Sequence, residues 1–173
     1  MKFIKHYFLS LFFEKNSFKK LSDYKLILYI SFFICTELVI LLINYFRIAD
    51  LNLLIKESVL NLLLLAFKFL FVIISMNFFL EKQEIFRKTL YGIILINPFR
   101  IIEFLLGYNL FIFRLLGAFV ILYSLIYVIY FYSNNFEISI NKKRYISVPI
   151  IISFILAKIV TFLIAGLFNS LIG

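Results

Sequence analysis

Five long apolar stretches separated by short charged segments dominate the pattern along this chain. Each stretch holds roughly 18–24 residues, which at about 1.5 Å per helical residue matches the roughly 30 Å hydrocarbon core of a bilayer. We therefore predict an all-α fold, a polytopic transmembrane bundle of about five spans, at about 26–46, 58–80, 89–106, 110–132 and 145–168. These are called predicted spans one to five.

The segment before the first span, residues 1–25, has a different pattern. Its lysines flank apolar residues that recur at three- and four-residue spacing, namely Phe3, Ile4, Tyr7, Phe8, Leu11 and Phe12. This pattern is typical of an amphipathic helix lying on an anionic leaflet, and a helix that docks on a partner is the alternative. The domain prediction is thus a basic interfacial segment over 1–25 and a transmembrane bundle over 26–173.

Composition supports a membrane protein. The hydrophobic fraction is 64% and the mean hydropathy is +1.06, whereas soluble domains are close to half apolar. The net charge of +9 does not indicate nucleic-acid binding, because the basic residues lie mainly at the ends of apolar runs. We expect membrane lipids and other membrane-protein subunits, or a second copy of the chain, as partners.

Lysine and arginine also predict the orientation. They are concentrated in the N-terminal segment and in the loops at 81–88 and 133–144, which places the N-terminus in the cytoplasm and the C-terminus outside. A bacterial inner membrane fits helical spans of this kind. If predicted span three, which contains Pro98, were only re-entrant, the C-terminus would be cytoplasmic instead.

Three charged residues lie near the middle of predicted spans one, two and five: Glu37, Lys68 and Lys158. Asn44 shares a helix face with Glu37, and Asn61 shares one with Lys68, because seven residues are close to two turns. We expect Glu37 to neutralise Lys68, Lys158 or both, since charges in hydrocarbon are costly. The pair would either determine helix register or form an ion-coupled or ligand-binding site. A lysine paired by another subunit is a third possibility.

Two further groups of residues are candidates for polar or packing contacts. Arg100 and Glu103 share a face of predicted span three, and with Arg114 they predict a polar cluster whose side chains extend to the outer interface. Small residues recur at every fourth position of span five, and a shorter group of small residues occurs in span four. Such groups favour close approach of another helix. They are Ser153, Ala157, Thr161 and Ala165, with Gly117 in span four. A tyrosine stripe at 123, 127 and 130 indicates packing or anchoring at the membrane interface.

Sequence patterns for catalysis, metal or nucleotide binding are missing from the chain. His6 and Cys35 are the only residues of their types, and Glu37 is the only carboxylate near the middle of a span. We therefore expect no catalytic residue, no metal and no cofactor, and an intramembrane enzyme ranks third among the possible functions.

The second half of the chain resembles the Yip (Ypt-interacting protein) family of five-span membrane proteins, in its bacterial branch. The resemblance is carried by residues 86–100, a glycine turn at Gly107, residues 114–131, the polar loop at 134–144 and the last span, with residues 12–21 before span one. It implies five spans, a cytoplasmic N-terminus and a scaffold or accessory role. The acidic-aromatic-glycine-proline motif of eukaryotic members is absent, so Rab binding is not carried over.

Two functional hypotheses remain from the sequence. The first is a non-catalytic scaffold or accessory subunit that acts through lateral association, using the small-residue stripe of span five and the basic cytoplasmic face. The second is a component of a transporter or channel, in which Glu37, Lys68 and Lys158 line a polar path.

Overall fold

The computed structural model describes residues 2–48, 51–77, 85–106, 111–136 and 145–172. These residues form helices, and no strand occurs among them. The helices are α1 (Lys2–Ser10), α2 (Lys15–Ser22), α3 (Leu26–Arg47), α4 (Leu51–Asn77), α5 (Ile85–Leu106), α6 (Phe111–Asn135) and α7 (Ser147–Ile172). The prediction of an all-α chain is therefore confirmed for the described residues.

Four of these helices are long and apolar enough to cross a membrane. The apolar stretches are Leu26–Phe46 in α3, Asn52–Met76 in α4, Leu115–Asn135 in α6 and Ser147–Leu167 in α7. Their outer faces carry large apolar side chains such as Ile27 and Phe162, which are 67% and 78% exposed. A continuous apolar surface of this kind requires lipid around it. The chain is a multi-pass membrane protein.

The helix that contains predicted span two begins earlier than the sequence pattern indicates. It starts at Leu51 rather than near residue 58, and Lys56 and Glu57 lie inside its second turn. The leucine-rich residues before them favour helix, so charged side chains here do not end it.

Helix α5 is the central helix of the bundle and packs against α3, α4 and α6. Every residue from Tyr91 to Asn97 is buried. The Tyr91 ring stacks on Tyr29 near the start of α3, with centroids 3.7 Å apart, and Arg100 bonds Glu37 further along. The two helices therefore run side by side in the same direction.

A glycine permits the close approach of α5 and α6. The Tyr132 hydroxyl donates to the Thr89 carbonyl oxygen at 2.8 Å, and a Cβ atom at Gly92 would lie 2.6 Å from Cζ of the Tyr132 ring. Tyr132 is fully buried, so any larger residue at 92 would push the helices apart.

Helices α4 and α7 form the other close pair of the bundle. Ser153 donates to the Pro149 carbonyl oxygen at 2.6 Å, so Ser75 of α4 is the donor in its 2.9 Å bond to Ser153. One turn further along α7, Ala157 is fully buried. The first half of the small-residue stripe is thus used for packing inside this chain.

The N-terminal helices lie against the end of the bundle where α3 begins. Phe3 of α1 packs edge-on against Tyr29 and Phe32, with centroids 5.2 Å and 5.5 Å away. Phe8 and Phe12 point away from the bundle and are 57% and 84% exposed. The sequence predicts α1 as a helix on the leaflet, with docking on a partner as the alternative; the structure shows one apolar face on the bundle and a second that is exposed.

The tyrosine stripe of α6 holds this N-terminal segment in place. Tyr123 donates to the Leu11 carbonyl oxygen. Ser10 donates to the Tyr7 carbonyl oxygen at 2.6 Å, so Tyr127 is the donor in its 2.6 Å bond to Ser10. Burial, and secondarily Tyr123, raises the pKa of Tyr7, which keeps this phenol neutral.

Candidate functional site

An ion pair connects α3 and α5 near the middle of the bundle. Arg100 donates from Nη1 to Glu37 Oε1 and to Asn97 Oδ1, both at 2.7 Å. The Asn97 amide donates to Glu37 Oε1 and to Thr36 Oγ1, both at 2.8 Å. The Arg100 side chain is 8% exposed and that of Glu37 is 22% exposed. These hydrogen bonds compensate for the cost of removing both charges from water.

The partner of Glu37 differs from the predicted one. The sequence predicts Lys68, Lys158 or both, whereas the structure pairs Glu37 with Arg100. The reason is the arrangement of the helices, because α3 packs chiefly on α5 and α4 packs chiefly on α7. Arg100 is accordingly buried in the bundle and does not extend to the outer interface.

Asn97 and Thr36 complete the network, and sequence analysis did not single them out. Asn97 precedes Arg100 by three residues and so shares its helix face. An asparagine inside an apolar stretch was the signal that could have revealed it. Thr36 gave no such signal, since its hydroxyl donates to the Phe33 carbonyl oxygen at 2.8 Å, as threonines in helices often do.

A cavity of about 530 Å³ lies between α4, α5, α6 and α7. This volume is in the range of about 300–1,000 Å³ that is usual for small-molecule sites. Its charged and polar lining consists of Glu57, Asn61, Lys68, Arg100, Ser124 and Lys158, and apolar side chains form the rest. The cavity thus brings together residues that the sequence places on separate spans.

The two lysines enter this cavity from different helices. Lys68 of α4 is half-buried, and its Nζ lies 4.8 Å from the centroid of the Phe154 ring of α7. An aromatic face stabilises a cation that is partly removed from water. Lys158 lies one turn after Phe154 and is exposed. Cationic groups therefore face the cavity from two sides.

A smaller cavity of about 240 Å³ lies on the other side of Arg100 and is lined by Glu37, Asn44 and Ser58 among others. Asn61 and Arg100 line both cavities. Asn44 is fully buried, and neither its Nδ2 nor its Oδ1 has a hydrogen-bond partner. A buried amide without partners is costly, and here it lies beside the smaller cavity.

The other predicted residues do not join this site. The side chains of Glu103 and Arg114 lie outside the part of the chain that the structure describes, as do the loops at 81–84 and 137–144. Thr161 and Ala165 are half-buried on α7. At Gly117, no atom outside its own helix lies within 4 Å of the place that a Cβ would occupy.

Among the described residues, no group of three or more histidine, cysteine, aspartate or glutamate side chains is arranged to hold a metal ion. Comparisons with protein-family models, with curated proteins and with solved structures found no match to this chain. The resemblance to the Yip family therefore stays a prediction from the sequence, and a function has to be argued from the geometry of the two cavities.

Proposed function

We propose that this chain is a non-catalytic membrane protein that binds an anionic ligand inside its helix bundle and works as a component of a membrane transport system. The observation that carries the proposal is the cavity of about 530 Å³ into which α4, α5 and α7 bring Lys68, Arg100 and Lys158. Cationic side chains at the middle of a span are costly, and in membrane proteins they mark ligand and ion paths.

The Glu37–Arg100 pair gives this site a means of releasing its ligand. Glu37 neutralises the guanidinium from the smaller cavity, while Arg100 also lines the larger one. An anion in the larger cavity competes with the carboxylate for the same positive charge. Binding is therefore favourable without being tight, which passage through a membrane requires.

Reconstitution of the purified protein into vesicles tests the proposal with inorganic phosphate, succinate and a fluorescent phosphatidylglycerol. We expect binding or movement of at least one of these anions, weakened about tenfold in Lys68→Gln through loss of one charge-assisted hydrogen bond. Lys25→Gln, which changes an exposed lysine just before α3, is the control and should behave as wild type. If every anion behaves as in protein-free vesicles, the proposal is wrong.

Lateral association with other membrane proteins is the second candidate, and it is the role that the resemblance to the Yip family implies. The half-buried Thr161 and Ala165 favour it, because small residues partly exposed on a helix suit the approach of another helix. Mass spectrometry of the protein purified in mild detergent separates the two candidates. A stoichiometric partner lost in Thr161→Leu would support association.

A further inference from the structure

We infer that the ligand of the larger cavity is an anionic, phosphate-bearing membrane lipid that reaches the cavity from the bilayer beside Lys158. The inference rests on the proposed function, since it names the ligand of the same cavity. It follows from the placement of charge along the cavity, from its apolar walls and from the side on which it opens.

The two lysines of the cavity lie away from its acidic side chain, whereas Arg100 lies near Asn61, four residues from Glu57 on α4. Among its described lining residues, Lys68, Arg100 and Lys158 are cationic and Glu57 is acidic. Glu57 precedes Lys68 by eleven residues on α4, which at about 1.5 Å per residue separates them by roughly 16 Å along the helix. The region around the two lysines therefore suits an anion. Ammonium and guanidinium groups are the usual side-chain donors to phosphate oxygens.

The walls of the cavity suit a hydrocarbon chain better than a small hydrated ion. Leucine and isoleucine side chains from α4 and α7 line it, among them Leu60, Leu64, Ile151 and Ile155. A small anion would lose part of its water shell beside this apolar surface without gaining hydrogen bonds in return, which is unfavourable. A ligand with a charged head and an apolar chain satisfies both parts of the lining.

The cavity reaches the lipid-facing surface of α7. Ile155 and Lys158 line it, and both are exposed on the outside of the bundle. Ile155 and its neighbour Ile159 are 53% and 49% exposed, so this surface is apolar around the lysine. A lipid can therefore enter beside Lys158, with its phosphate near that lysine and an acyl chain along the apolar walls of the cavity.

The smaller cavity is separate from the two lysines and contains a polar group of its own. Arg100 and Asn61 are shared between the two cavities, so they lie where the two adjoin. Beyond them lies Asn44, fully buried, with neither amide atom hydrogen-bonded. Asn44 lies seven residues beyond Glu37 on α3, roughly 10 Å at about 1.5 Å per residue, so a phosphate bound at the two lysines does not reach this amide.

Native mass spectrometry of the detergent-purified protein tests this inference with three probes: dioctanoyl phosphatidic acid, dioctanoylglycerol and inorganic phosphate. We expect one phosphatidic acid per chain, bound at least tenfold more tightly than either of the others. Lys68→Gln and Lys158→Gln should each weaken it about tenfold. Lys68→Arg and Lys158→Arg keep the charge and should bind within a few-fold of wild type, which shows that the fold is intact. Lys25→Gln should bind as wild type.

Four outcomes would overturn the inference, and they differ in what they mean for the proposed function. If inorganic phosphate binds as tightly as the lipid and Lys68→Gln weakens both, the ligand is a soluble anion and the proposed function stands. Lipid binding that neither Lys→Gln variant changes would be ordinary surface lipid. A stoichiometric protein partner that buries Lys158 would assign this lysine to an interface. If no probe binds and no anion moves in vesicles, the inference and the proposed function are both wrong.

Discussion

Arg100 illustrates what a charged side chain needs inside this bundle. Its guanidinium reaches Glu37 on α3 and the Asn97 carboxamide one turn before it on α5. Removing either charged partner would leave the other buried without its counter-charge, which typically costs about 3–5 kcal/mol. The pair therefore favours one register of α3 against α5 over the alternatives, in addition to any role in ligand binding.

Gly92 leaves no room for a side chain where α5 meets α6. We predict that Gly92→Ala lowers stability by about 1–3 kcal/mol, the usual cost of overpacking, because the new methyl group would overlap the Tyr132 ring. Gly117→Ala is the matched control, since it places a methyl group in open space on α6. Thermal denaturation of tagged variants in detergent, followed by size-exclusion chromatography, measures the difference. Equal melting temperatures for the two variants would contradict this packing.

At the scale of helices, length and apolar pattern are sufficient to find α3, α4, α6 and α7. Outward-facing side chains on these helices meet lipid, so they must be apolar over a full membrane thickness. Helix α5 has a weaker pattern because its neighbours are protein, and Asn97 and Arg100 are stabilised there by partners. The partner of Glu37 could not be read from the sequence, since it depends on which helices lie side by side.

The N-terminal segment shows a related limit of periodicity. Spacing identifies an apolar face on α1, but Phe3 and Phe8 both belong to apolar stripes, and only the fold determines which stripe is covered. The tyrosines of α6 predicted packing, and the structure gives their partner as the N-terminal segment, for example Leu11 for Tyr123. Chain-distant contacts of this kind leave no periodic signal.

Docking of α1 and α2 on the bundle depends on the one aromatic ring of α2. Phe18 is fully buried, and its ring centroid lies 5.1 Å from those of Tyr127 and Tyr130. We predict that Phe18→Ala weakens docking by about 3 kcal/mol or more and accelerates trypsin cleavage after the lysines of α2 at least tenfold. Phe12→Ala removes a ring of the same size that is 84% exposed and should not change the cleavage rate. Equal protection of both variants would mean that α2 is not held by this contact.

For the whole molecule, the number of crossings depends on α5. It is a continuous helix of 22 residues through Pro98, and at about 1.5 Å per residue it is roughly as long as the hydrocarbon core is thick, about 30 Å. It passes Tyr29 near the start of α3 and Glu37 at its middle, and it continues beyond Arg100 to Leu106. A helix that runs beside α3 in this way favours a full crossing over a re-entrant turn, and therefore five spans.

Five spans and a cytoplasmic N-terminus predict that the C-terminus lies outside. A phosphatase fused after Gly173 should be active and a green fluorescent protein fused there should be dark, since the first works only outside the cytoplasm and the second only within it.

Fusions after Asn135, at the end of α6, discriminate further, because five spans place that point in the cytoplasm and four spans place it outside. Fusions after Ile48 calibrate the assay, since both topologies place them outside. Fluorescence at the C-terminus together with phosphatase activity after Asn135 would show that α5 does not cross. The Glu37–Arg100 pair would then lie beside a helix that enters and leaves the membrane on the same side.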